Sequence, residues 1–177
     1  MMLARPAPTA ADSLDPSIDR KRHEDWFTAT GAEKGTEILA NIHANCVAIN
    51  DQGLLLLGPS GAGKSDLSLR LMDRGAILVA DDRCDIRYDG TSLWASAPDT
   101  LAGLMEVRGL GIIAQPYQKN VALTLAVELV TGYDRYPLDS QTMVIAGHPL
   151  PLLRLNPFEM SAPLKIMLAL QSCGCRQ

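Results

Sequence analysis

The sequence predicts an α/β domain with a β-rich central sheet flanked by helices, and three observations carry that reading. A glycine-rich loop, Gly58–Ser65, separates an apolar run from a helical segment. A second apolar run closes on two adjacent aspartates, Asp81 and Asp82. The second half then alternates short runs of Val, Leu and Ile with turn residues, the pattern of strands. At 177 residues, 47% hydrophobic and 20% charged, the chain has the size and composition of one globular domain.

Residues 1–33 are rich in Pro, Ala, Asp, Ser and Lys and lack a sustained apolar period. They read as a flexible leader with a short helix around Glu24–Ala29, and residues 34–177 as the folded domain. A strand near Cys46–Ile49, a turn at Asn50–Gly53 and a strand at Leu54–Leu57 form a hairpin that feeds the glycine-rich loop. Ser65–Asp73 reads as a helix, with Leu67, Leu71 and Met72 on one face, Asp66 in its first turn and Gly75 as a left-handed cap. Ala76–Ala80 has the continuous apolar character of a strand buried on both faces. Short strands follow at Cys84–Tyr88 and Leu93–Ala95 around the turn Asp89-Gly90. Extended segments are expected at Leu104–Val107 and Val121–Val130, and a helix at Ala162–Gln171, with Pro163 in its first turn.

A formal net charge of -4 gives no basic field for a nucleic-acid backbone, so nucleic acid is not expected as a partner. No apolar run approaches the roughly 18 residues of a membrane span, and the first residues lack the apolar core of a secretory signal. A cytosolic protein with no membrane partner is the expectation. The four cysteines (Cys46, Cys84, Cys173, Cys175) and three histidines (His23, His43, His148) make no zinc-site spacing, and reduced thiols are expected.

The chemistry concentrates in Gly58-Pro59-Ser60-Gly61-Ala62-Gly63-Lys64-Ser65, which satisfies the phosphate-loop pattern G-x-x-x-x-G-K-[ST]. Its glycines let backbone amides turn toward phosphate oxygens, and the following helix presents its positive end. Lys64 can reach the terminal phosphates and Ser65 can offer an oxygen to Mg²⁺. A helix of about ten residues, some 15 Å long, leads directly to the acidic strand, so Asp81 and Asp82 should arrive beside the phosphates. Adjacent strand residues point to opposite faces, which suggests a division of labour. One carboxylate supports the metal shell while the other faces the attacking nucleophile as a general base; alternatively, one of them only caps a turn with Arg83.

The loop, a helix ending in Arg-Gly, the run "LVADD" and the segment "MEVRGLGII" (Met105–Ile113) together resemble the catalytic domain of HPr kinase/phosphorylase. The resemblance runs from about Ile42 to Arg135 and marks the chain as a short form that consists of the catalytic domain. It implies a phosphate-loop kinase core that uses ATP and Mg²⁺ to phosphorylate a seryl residue of the phosphocarrier protein HPr, with reversal by inorganic phosphate in many members, and a hexameric assembly. Carried over residue by residue, it implies that Gly58–Ser65 binds the nucleotide phosphates and that Lys64 contacts the β- and γ-phosphates. Asp82 becomes the catalytic acid/base, with Asp81 beside the metal; Ser65 and Glu106 become magnesium ligands, and His43 and Arg135 active-site residues. Near the C-terminus the family carries Pro-x-Arg-Pro-Gly-Arg, whereas this chain reads "PLLRLNPFEMSAPLKI", keeping Arg154 and losing the proline-glycine-arginine portion. The residues alone also admit another phosphate-loop enzyme, such as a small-molecule kinase or nucleoside triphosphatase, or a non-catalytic nucleotide sensor.

Overall fold

The computed structural model describes residues 27–29, 37–135 and 141–174. Strands β1 (Phe27–Ala29), β2 (Ala40–Ile42), β3 (Asn45–Ile49) and β4 (Gln52–Leu57) precede helix α1 (Lys64–Met72). Strands β5 (Ile77–Ala80), β6 (Cys84–Tyr88) and β7 (Leu93–Ser96) follow, then a short 3₁₀ turn, β8 (Leu104–Val107) and β9 (Gly111–Ala114). The chain continues with β10 (Val121–Leu129), β11 (Thr142–Ile145), β12 (His148–Leu155) and helix α2 (Ala162–Gly174).

Ten strands form one sheet in the order β1-β2-β6-β7-β10-β4-β3-β5, with β12 on β10 and β11 on β12, while β8 and β9 make a separate hairpin. β10 is the spine. Its first residues pair antiparallel with β7, and Ala126, Val127 and Glu128 pair parallel with both β4 and β12. The central strand β4 is buried on both faces. Leu54 and Leu56 pack against α1 and α2 through Leu67, Leu71, Ile166 and Leu170, whereas Leu55 and Leu57 face a second core with Ile42, Cys46, Ile86 and Ile145. Both described helices therefore cover the same face of the sheet. Fully burying each of these leucines contributes roughly 2 kcal/mol, which holds the loop-bearing strand rigid.

The hairpin β3–β4 closes through Asn50 and Asp51, both with positive φ (49° and 62°). That is a two-residue turn whose twist matches the strands it joins, and Asn and Asp are the side chains that tolerate it. Gly75 (φ 94°) ends α1 as expected. Its N–H bonds to the Met72 carbonyl, and the Ala76 N–H to that of Leu71, the paired bonds of a glycine C-cap. The helix expected around Glu24–Ala29 is corrected for its last three residues. Phe27–Ala29 are extended and pair antiparallel with Ala40–Ile42, because the edge of β2 offers ladder partners that a short isolated helix lacks. The rest of the expected leader, and Cys175, lie outside the described residues.

At the β6–β7 turn the Asp89 carboxylate accepts bonds from the Thr91 and Ser92 amides, the Thr91 hydroxyl and the Trp94 indole N–H. The Ser92 bond first, then those of Thr91 and Trp94, hold the Asp89 carboxyl well below the usual carboxylate range. A depressed acid stabilises the turn above its unfolded pKa, and that contribution is lost as pH falls through the folded value. Trp94 fluorescence should therefore hold steady through the ordinary carboxylate range and change only in stronger acid, and Asp89→Ala should abolish that late transition.

Candidate active site

The site forms where three strands end. β3 lies between β4 and β5 and runs antiparallel to both, so β4 and β5 point the same way. They deliver the glycine-rich loop and the acidic pair to one edge of the sheet, roughly 10 Å apart at two strand spacings. The strand–helix–strand crossover read from the sequence is present, with one antiparallel strand inserted in its middle.

At the loop, Gly63 takes φ 92° as the residue before α1, a conformation that strains any side chain. A Cβ there would also sit 3.2 Å from the Phe158 ring. Lys64 is turned back into the loop it follows. Its ammonium donates to the carbonyls of Gly58 (2.8 Å) and Pro59 (3.1 Å) and lies 3.1 Å from His43 Nε2, which accounts for all three of its hydrogens. Burial pulls the Lys64 pKa below its ordinary value, and the charges of Asp82 and Asp81 pull it back.

The two aspartates differ sharply. Asp81 is buried, and its Oδ1 accepts from Asn45 Nδ2 (2.5 Å) and Ser65 Oγ (3.3 Å) while its Oδ2 accepts from the Glu106 amide (2.9 Å). Burial raises its pKa, with Asp82's charge adding to the rise, against the bonds from the Glu106 amide, Ser65 and Asn45. Asp82 leaves the strand in the left-handed region (φ 65°), and its side chain is 64% exposed. One oxygen lies 3.0 Å from His43 Nδ1. The partners assign the histidine tautomer: Nδ1–H donates to the carboxylate, and Nε2 accepts from Lys64. His43 thus bridges the lysine and the exposed aspartate. The turn-capping role considered for one aspartate with Arg83 describes neither carboxylate, since both are engaged by site residues.

Glu106 reaches the cluster through its backbone; its side chain is exposed on β8. Arg135 lies in the exposed segment Thr131–Arg135 that follows β10. Tyr133 ties this segment down, donating to Glu159 and accepting from Lys165 of α2. The structure therefore brings together His43, Lys64, Ser65, Asp81, Asp82 and the Glu106 backbone. It adds Asn45, which the sequence reading did not single out and which touches both aspartates and two serines of α1.

The family model for the HPr Serine kinase C-terminal domain matches residues 37–162, most of the chain and all of these positions. The chain belongs to this family. The HPr kinase/phosphorylase of Bacillus licheniformis is 39% identical over 127 residues, which cover 64% of this chain and 41% of the relative. That of Lactobacillus acidophilus is 32% identical over 149 residues, covering 77% and 46%. The solved Hpr(Ser) kinase/phosphatase from Coxiella burnetii superposes with a TM-score of 0.66 at 28% identity, covering 77% of this chain and 91% of that one. This HPr kinase-family chain thus spans less than half the length of those curated relatives.

The donor set fits Mg²⁺. Ser65 Oγ and Asp81 Oδ1 meet at 3.3 Å, so a hydroxyl and a carboxylate converge on one point beside the loop. Mg²⁺ takes oxygen ligands, keeps several waters and binds through one or two carboxylates plus substrate phosphates. Among the described residues no group of three or more His, Cys, Asp or Glu side chains could hold a metal by itself. No described helix is long and apolar enough to cross a membrane.

Proposed function

We propose that this chain transfers the γ-phosphoryl group of ATP, with Mg²⁺, to a seryl hydroxyl of HPr or an HPr-like carrier protein. The observation that carries the proposal is the division between the aspartates: Asp81 is buried under three hydrogen bonds, whereas Asp82 presents its carboxylate to solvent beside Lys64 and His43. The names of the relatives supply the acceptor.

In this reading the loop amides and the α1 N-terminus hold the phosphates, and Lys64 exchanges its loop carbonyls for phosphate oxygens. Ser65 and Asp81 hold the metal, which neutralises charge on the transferring group. His43 fixes one oxygen of Asp82, leaving the other to accept the seryl proton. Reversal would need the same carboxylate to return that proton. Arg154, the arginine kept from the family's C-terminal segment, is held 2.6 Å from the buried Glu128 by its Nε. Arg135 would add charge opposite the phosphoryl group, Glu106 would be a third metal ligand, and the family's hexamer is the proposed assembly.

ATP consumption by the purified protein should depend on added HPr, and phosphoserine-HPr with inorganic phosphate should test the reverse direction. Steady phosphate release without a protein acceptor would instead favour a nucleoside triphosphatase. Tight nucleotide binding unaffected in its output by Asp82→Asn would favour a sensor.

A further inference from the structure

Asn45 is 1% exposed and sits at the first position of β3, the strand inserted between the loop-bearing and acid-bearing strands. Its amide nitrogen donates to Asp81 Oδ1 at 2.5 Å and lies 3.2 Å and 3.4 Å from the hydroxyls of Ser65 and Ser68. Its amide oxygen accepts the backbone N–H of Asp82 at 3.3 Å. The orientation of the amide is forced by these partners, because an ionised carboxylate can only accept and a backbone N–H can only donate.

We infer that Asn45 is a positioning residue that gives the two adjacent aspartates their different roles, its amide nitrogen fixing the Asp81 carboxylate and its amide oxygen fixing the backbone turn at Asp82. A regular strand would send the two side chains to opposite faces. The left-handed conformation at Asp82 breaks that alternation, and an L residue stays there only where its surroundings hold it. The Asn45 oxygen is a side-chain partner of the N–H at that turn, and the turn brings the Asp82 carboxylate to His43 Nδ1 at 3.0 Å. One buried side chain thereby couples the helix carrying Lys64 and Ser65 to both acids. Filling the space alone would need no amide, since an apolar side chain would pack at a fully buried strand position.

The consequence for rate rests on the phosphoryl-transfer reading above; the positional claim rests on the geometry. Two variants separate the arms of the test. Asn45→Ser is too short to span both aspartates, whereas Asn45→Asp keeps an acceptor for the Asp82 N–H. In protein labelled with ¹⁵N-histidine, the wild-type ring of His43 should carry its proton on Nδ1. Asn45→Ser should lose that signature and lower kcat toward HPr about 10- to 100-fold. Asn45→Asp should keep the ring signature yet lose rate, because a carboxylate oxygen meets Asp81 where the amide had donated. The inference is overturned if folded Asn45→Ser retains the wild-type His43 spectrum or the wild-type kcat toward HPr. Asn45→Ala adds a third comparison with the same expectation as Asn45→Ser. Should wild-type protein leave HPr unmodified, the functional reading fails, and the ring spectra still decide the role of Asn45.

Discussion

Asp82→Asn should leave the protein folded and able to bind Mg-ATP, yet lower phosphoryl transfer to HPr by about 10²- to 10⁴-fold, the usual worth of a general base. The substitution is unusually clean. Asparagine tolerates the left-handed backbone at this position (φ 65°) as aspartate does. Its amide oxygen can still accept the His43 Nδ1–H that now lies 3.0 Å from the carboxylate. Geometry is preserved and basicity is removed. Because the side chain is 64% exposed, little packing is disturbed, and thermal stability should move within the small range of surface substitutions. Single-turnover assays with saturating nucleotide, set beside nucleotide binding, measure the loss directly.

Lys64→Ala should cost a similar factor, about 10²- to 10³-fold, by the loss of a preorganised positive charge from the phosphate site. Its signature differs. The lysine would contact phosphates in the ground state as well as in the transition state, so Mg-ATP affinity should fall together with rate. Its place in the fold also differs from that of Asp82. Lys64 is 7% exposed and closes its own loop through the carbonyls of Gly58 and Pro59, and it touches His43. Isothermal titration of each variant with Mg-ATP separates the two: weak heat for Lys64→Ala, near wild-type affinity for Asp82→Asn.

The contrast also explains which parts of the site were legible in the sequence. The loop and Lys64 announce themselves because phosphate binding needs glycines, a lysine and a hydroxyl at fixed local offsets. Asp81 and Asp82 stand out because a strand of Ile, Leu, Val and Ala ends on them. The hairpin, α1 with its Gly75 cap, and the strands Cys84–Tyr88 and Leu104–Val107 follow from local periodicity and turn residues, and the structure places them within a residue or two. Asn45 was hidden because its importance is entirely non-local. Its partners are 20, 23, 36 and 37 residues away, and one asparagine at the start of an apolar strand carries no local signal.

The insertion of β3 between β4 and β5 was hidden for the same reason, since hairpin formation does not say which neighbour occupies the other edge. β2, β9 and β11 are short, and β12 is interrupted by prolines and a charged residue, so their alternation is weak. Phe27–Ala29 read as helical because three residues have no period of their own and the pairing with β2 decided their conformation. The family resemblance supplied what physics alone could not, the roles proposed for His43, Glu106 and Arg135; the geometry ties His43 to both the lysine and the exposed acid.

The most direct test of the central claim is mass spectrometry of HPr after incubation with the pure protein, ATP and Mg²⁺, run in parallel for wild type and Asp82→Asn. The proposed function predicts one phosphoseryl group on HPr with the wild type and almost none with the variant. Unmodified HPr from an active wild-type preparation, or equal phosphorylation by both proteins, would contradict it.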